Sequence, residues 1–302
     1  MSPKILVGYD GSDQARDALC LAEGLARVSK ASLLLAYVER VGPYELPAPS
    51  VVDAIRERAE TRLAVIAGEV RARGDEVETR PVLVGSPARG LHELAEHERP
   101  EFVVVGSSHR GRAGAVLLGT VGVRLLHGSS CPVAIAPRGL AARAPWSPRR
   151  IGVGYDSSPE SRIALARARS IASDASTSLH ILVAAEPLTR YIELYGQLDT
   201  SQVREQSEAR LREALARVGG DVGADGEILD ETAVTGLERA GAELDLLVVG
   251  SRGYGPVRRV LLGSVSAHLA RTSACPLIVT PRAGGLEDDD PRPAAADAAA
   301  QR

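Results

Sequence analysis

Near the end of each half, this 302-residue chain carries a glycine-bearing segment with the composition of an anion-binding loop. The first segment runs from Gly106 to Val121 and the second from Gly250 to Val265. Each follows a short apolar run that predicts a buried strand, and each leads into a predicted helix. Unpaired backbone N–H groups and the positive end of the helix dipole converge at such a junction. We therefore expect a phosphate group to bind there.

The two segments belong to a duplication that runs the length of the chain. The residues up to Asp10 recur up to Asp156, at a shift of 156 − 10 = 146, and Cys131 recurs as Cys275, at a shift of 144. A period of this length is too long for a solenoid repeat and predicts that each copy is a whole domain. We expect two similar domains, over residues 1–138 and 149–282, followed by a disordered tail over residues 283–302.

Each copy alternates apolar strands with helices. The predicted strands of the first copy cover 4–9, 32–38, 77–84, 102–106 and 131–136, and its helices cover 13–29, 51–73, 86–98 and 120–127. The predicted strands of the second copy cover 151–155, 178–184, 227–229, 244–250 and 277–280. Strands that are apolar throughout and separated by helices favour a parallel sheet covered on both faces.

Asp10 and Asp156 end the first strand of each copy, while Gly106 and Gly250 end the fourth. If these strands are neighbours, a carboxylate faces a glycine loop across one crevice, which suits a nucleotide. The loop would take phosphates and the carboxylate would take hydroxyl or amino donors. No GxxxxGK[ST] motif occurs, so a P-loop NTPase is not expected. The net charge of −3 gives no reason to expect nucleic acid or an anionic membrane as a partner.

The second loop resembles the phosphate-binding pattern of the universal stress protein family, which is glycine, two residues, glycine, nine residues, then glycine with serine or threonine. Gly250, Gly253, Gly263 and Ser264 fill every position, and the segment that ends at Asp156 is also similar to that family. The chain is identified as a tandem member. The resemblance implies an α/β fold with two doubly wound, five-stranded parallel-sheet domains of strand order 3-2-1-4-5. The two domains would pair through their fifth strands as an intramolecular pseudo-dimer.

The same resemblance implies ATP as the ligand, with Mg²⁺ bound along with the nucleotide. In the second copy it assigns nucleotide contacts to Asp156, Ala184, Gly250, Ser251, Arg252, Gly253, Gly263, Ser264 and Val265. In the first copy the matching positions are Asp10, Val38, Gly106, His109, Gly119, Thr120 and Val121. His109 departs from the pattern, since glycine is expected there. Its ring either blocks close approach of the backbone or donates to a phosphate itself, and both interpretations stay open.

The family resemblance implies a nucleotide-dependent regulator of stress or dormancy without robust catalysis. No paired base and nucleophile is visible in the sequence. Two alternatives stay open: a weak ATPase or a protein that phosphorylates itself on Ser251 or Ser264, and a nucleotide-free interaction scaffold. The short N-terminal apolar run and three cysteines without a CxxC pair favour a cytoplasmic protein with reduced thiols. The expected partners are an adenine nucleotide, an unidentified protein and, through further domain pairing, a second copy of the chain.

Overall fold

The computed structural model describes residues 3–40, 48–108, 113–185, 200–251 and 263–281. The strands are β1 Lys4–Gly8, β2 Ser32–Arg40, β3 Val77–Val84, β4 Phe102–Gly106, β5 Val133–Ala136, β6 Ile151–Gly154, β7 Leu179–Ala184, β8 Ala224–Leu229, β9 Leu246–Gly250 and β10 Leu277–Thr280. The α-helices are α1 Asp13–Ser29, α2 Pro49–Ala72, α3 Pro87–Glu98, α4 Thr120–Leu126, α5 Pro159–Asp174, α6 Thr200–Val218, α7 Ala233–Gly241 and α8 Ser264–Thr272. A 3₁₀ helix covers Leu140–Arg143.

One continuous sheet of ten strands runs through both halves, in the order β3-β2-β1-β4-β5-β10-β9-β6-β7-β8. Within each half the order is therefore 3-2-1-4-5, and neighbouring strands are parallel. The halves meet where β5 and β10 pair antiparallel, with Ala134 opposite Ile278. The expected α/β class and the pairing through the fifth strands are confirmed. The two predicted sheets are halves of a single one.

Alternate strand residues enter two separate apolar cores, one on each face of the sheet. On one face, Ile5 and Val7 of β1 belong to the core that contains α1, α2, α5 and α6. On the other face, Leu6 belongs to the core that contains α3, α4, α7 and α8. Both cores extend through the two halves, so the halves share their interior as well as their sheet.

Several predicted boundaries differ from the structure by one to three residues, and two of them have a clear physical reason. Helix α2 begins at Pro49 rather than at residue 51, because proline fits the first turn of a helix. Strand β8 begins at Ala224 rather than at residue 227, and its first five residues alternate between half-buried and exposed before the buried Leu229. This alternation marks an edge strand, which a search for continuous apolar runs detects only in part.

The segment that links the two halves, residues 137–149, packs against helix α1. The buried carboxylate of Asp17 accepts hydrogen bonds from the backbone N–H groups of Gly139 and Ala141, both at 2.8 Å. These groups lie at the start of the 3₁₀ helix, where N–H groups have no partner within the helix. Trp146 is buried against Gly24, where an added Cβ would lie 2.4 Å from the indole ring. The linker is therefore part of the packed structure.

The first glycine segment is fastened to the second half of the chain. The N–H of Val116 donates to the carbonyl of Ser273 at 2.7 Å, and that of Leu118 donates to the carbonyl of Ala270 at 2.9 Å. Both carbonyls lie at the C-terminal end of α8, where helix carbonyls lack intrahelical partners. Helix α8 therefore contacts the first half directly.

All three cysteines are buried and none forms a disulfide, as predicted. Burial raises the pKa of the Cys20 and Cys131 thiols, and it raises the pKa of Cys275 to about 12. These thiols are therefore poor nucleophiles. Within the described ranges no helix is both long and apolar enough to cross a membrane.

Candidate nucleotide-binding site

A cavity of about 370 Å³ opens at the carboxyl ends of β6, β7 and β9 in the second half. Its volume lies in the range of small-molecule sites. Strand β6 pairs with β7 on one side and β9 on the other, so the strand order reverses at this point. In open α/β sheets, ligands bind at such a switch point. The cavity wall includes Asp156, Ala184 and Gly250, which follow or end these three strands.

The backbone around Asp156 orients its carboxylate. Oδ1 accepts a hydrogen bond from the N–H of Ser158 at 3.0 Å. Ser158 in turn caps α5, since its hydroxyl accepts from the N–H of Ser161 at 3.1 Å. The first half repeats this arrangement, with Oδ1 of Asp10 accepting from the N–H of Ser12 at 2.9 Å.

The glycines at the ends of β4 and β9 allow a helix to begin directly against the sheet. A Cβ on Gly250 would lie 2.7 Å from the carbonyl carbon of Glu160 in the first turn of α5. A Cβ on Gly106 would lie 2.0 Å from the carbonyl oxygen of Gln14 in α1. These glycines therefore have a packing role that is independent of any ligand. The close approach also brings the turn after the first strand beside the end of the fourth.

The start of α8 supplies the electropositive part of the cavity. Gly263 is its N-cap, without a side-chain cap, and Gly263, Val265 and Ser266 line the cavity. The first N–H groups of the helix have no intrahelical acceptor, and the positive end of its dipole points there. Ser264 is exposed and is not among the described lining residues, so the hydroxyl at this wall belongs to Ser266.

Helix α6 forms a further wall that the sequence reasoning missed. It contributes Val203, Gln206, Ser207 and Arg210, and Arg210 forms no ion pair with any residue of the described ranges. One signal could have revealed this wall. The buried positions of α2 and α6 match at an offset of 148 residues, which aligns Arg210 with Arg62, so both copies carry an arginine at this place in the helix.

A charged network lies behind this wall, around Glu213. Burial raises the pKa of its carboxyl, but hydrogen bonds from Ser157 and Arg217 and the charge of Arg162 outweigh that effect and lower the pKa to about 2. The carboxylate is therefore ionised across the whole neutral range.

The hydroxyl of Ser251 is buried and has no hydrogen-bond partner among the described residues. Its counterpart Ser107 donates to the carbonyl of Ala136 at 2.7 Å and accepts from the N–H of Leu117 at 3.2 Å. A buried hydroxyl without a partner is costly, so Ser251 is able to accept or donate toward a ligand. Three other predicted site residues lie outside the described residues, namely Arg252, Gly253 and His109.

In the first half, β1 and β4 are neighbours, which brings Asp10 and Gly106 to the same edge of the sheet. Val38 packs against α3, where a Cβ on Gly90 would lie 2.9 Å from its Cγ1. The remaining predicted residues lie at the start of α4: Gly119 is its N-cap, Thr120 begins the helix, and Val121 packs on the apolar core below it.

Comparison with known proteins agrees with this architecture. A family model described as the universal stress protein family matches residues 1–137 and again 148–281. A universal stress protein of Mycobacterium tuberculosis is 31% identical over 296 residues, covering 92% of this chain and 99% of its own length. A second one from that organism is 30% identical over 286 residues, covering 91% and 96%.

Among solved structures, a universal stress protein from Archaeoglobus fulgidus is similar, with a TM-score of 0.69 and 25% sequence identity. The similarity covers 93% of this chain and 99% of that protein. The family model matches twice, and the relatives are aligned over nearly their whole length. This chain therefore belongs to the universal stress protein family, as a tandem member with two such domains.

Proposed function

We propose that the second half binds ATP, with Mg²⁺ on the phosphates, and that the bound nucleotide controls recognition of a protein partner in a cytoplasmic stress or dormancy response. One observation carries this proposal. A single cavity brings together the carboxylate of Asp156, the N-terminus of α8 and the cation of Arg210. These groups have the charges that a nucleoside polyphosphate requires at its two ends.

The adenosine would lie between β6 and β7. The carboxylate of Asp156 can accept from hydroxyl or amino donors, and the small side chain of Ala184 leaves room beside it. The phosphates would lie toward Gly250 and the start of α8, where backbone N–H groups can donate. Arg210 would add a positive charge from the facing wall. This placement agrees with the contacts that the family resemblance implies.

The lining residues favour binding over turnover. Those in the described ranges include the carboxylates of Asp156 and Glu160 but no histidine, lysine or cysteine. A general base paired with a nucleophile is therefore not apparent among them. Slow hydrolysis or transfer of a phosphate to Ser251 or Ser264 would be a secondary activity. We infer that the chain acts mainly as a regulator.

The two halves are expected to bind nucleotide unequally. In the first half Val38 replaces Ala184, and His109 stands where the pattern of the second half has Gly253. The first change adds bulk beside the expected position of the base, and the second adds a side chain where the loop should approach a phosphate closely. Both changes disfavour a nucleotide, so we expect one ATP per chain.

Titration calorimetry with ATP on the wild type and two matched variants tests the proposal. Asp156→Ala should weaken binding by about ten- to a hundredfold, the effect of losing a hydrogen bond to a charged group. Asp10→Ala removes the corresponding carboxylate of the first half and should leave this affinity unchanged. An unaltered Kd in Asp156→Ala, or an equal loss in Asp10→Ala, would contradict the assignment.

A further inference from the structure

The turn that follows Asp156 contains a residue in an unfavourable backbone conformation. Ser157 has φ 64°, in the left-handed region that glycine adopts readily and other L residues occupy at a cost. The corresponding residue of the first half, 146 positions earlier, is Gly11, with φ 85°. One half thus builds this turn with glycine and the other half builds it with serine.

Helix α6 holds the Ser157 side chain. The hydroxyl donates to Oε2 of Glu213 at 2.8 Å. The other carboxylate oxygen of Glu213 accepts from Nη2 of Arg162 at 3.1 Å and from Nε of Arg217 at 2.9 Å. Charge-assisted hydrogen bonds of this kind are stronger than neutral ones. The serine therefore meets an acceptor that two arginines keep in place.

The first half lacks the acceptor as well as the serine. The buried positions of α2 and α6 match at an offset of 148 residues, which aligns Glu213 with Val65, a side chain that is 64% exposed. A valine side chain can neither accept a hydrogen bond nor carry a charge. The half in which a serine adopts the left-handed conformation thus has a glutamate at this place in the helix. The half in which a glycine adopts that conformation without strain has none there.

The conformation of Ser157 determines where Asp156 points. Oδ1 of Asp156 accepts from the N–H of Ser158, and these two residues flank Ser157. Rotation of Ser157 out of the left-handed region would separate that donor from its acceptor. It would also turn the carboxylate relative to the cavity that Asp156 lines.

We propose that Glu213 is a positioning residue for the nucleotide: through Ser157, it holds the left-handed turn that presents the Asp156 carboxylate to the cavity. This role rests on the nucleotide binding proposed above. The state of the turn can nevertheless be measured without any ligand, so the two proposals can fail separately.

Calorimetry with ATP tests the role in binding. Glu213→Ala, which removes the acceptor, should raise the Kd roughly five- to thirtyfold, as expected for an L residue that no longer remains left-handed. In a Ser157→Gly background the same substitution should have little effect, and the single and double variants should agree within about threefold. Glu205→Ala changes an exposed glutamate of the same helix and should match the wild type.

Amide hydrogen exchange at Ser158, measured by NMR on the ligand-free chain, tests the turn itself. Exchange should become at least fivefold faster in Glu213→Ala, remain unchanged in Glu205→Ala, and be equal in Ser157→Gly with or without Glu213→Ala. Unchanged exchange in Glu213→Ala would overturn the proposal. So would an equal loss of ATP affinity in both backgrounds, because Glu213 would then act by another route. A wild type that does not bind ATP would refute the proposed function, while the exchange data would still decide whether Glu213 holds the turn.

Discussion

Gly106 and Gly250 show how one residue can satisfy two requirements. Their lack of a Cβ allows α1 and α5 to begin against the ends of β4 and β9, and this packing exists without any ligand. The same contact brings Asp156 beside the end of β9. A glycine that is required for packing therefore also shapes the candidate nucleotide-binding site. At the level of residues, stability and binding are coupled through the backbone.

This packing role predicts a loss of stability on adding one methyl group. Gly250→Ala and Gly106→Ala would each place a Cβ within 3 Å of helix backbone, so each should lower the free energy of unfolding by about 1–3 kcal/mol. Gly68→Ala is the matched control, because Gly68 lies in α2 with open space around it. It should stabilise the chain by about 0.5–1 kcal/mol. Denaturant unfolding measures the free energy of unfolding of the three variants. Equal values for all three would contradict the packing role of Gly106 and Gly250.

At the level of elements, local patterns were sufficient for the sheet but not for the whole cavity. Apolar runs locate β6 and β9, and the glycine pattern locates the start of α8, because these signals are local. The wall that α6 provides could not be predicted in this way. Which face of α6 meets the cavity depends on how the helix docks on β7 and β8, so Arg210 and Glu213 carry no local signature. A comparison of α6 with α2, at the offset of 148 residues that matches their buried positions, sets Glu213 apart, because Val65 takes its place in the first half.

The linker is an element whose stability depends on one buried carboxylate. Asp17→Ala removes the acceptor for the N–H groups of Gly139 and Ala141, and leaves both of them without that partner. We expect the free energy of unfolding to fall by about 1.5–3 kcal/mol. Asp53→Ala, on the exposed side of α2, should change it by less than about 0.5 kcal/mol. If urea unfolding gives the same free energy of unfolding for both variants, the two hydrogen bonds to Asp17 do not contribute to the stability of the fold.

At the level of the whole molecule, helix α8 connects the cavity of the second half to the first half. Helix α8 lines the cavity with Gly263 at its start, and the carbonyls of Ala270 and Ser273 at its end accept from the first half. The sheet is continuous through β5 and β10, so neither half is an independent body. A duplication of one domain has thus given a single continuous structure.

Native mass spectrometry of the full chain in excess ATP tests the central claim most directly, because it counts the nucleotides bound to each molecule. We expect a mass increase of one ATP per chain for the wild type and for Asp10→Ala, and none for Asp156→Ala at the same concentration. Binding of two nucleotides per chain, of none, or of one that survives Asp156→Ala but not Asp10→Ala would contradict the assignment of a single site to the second half.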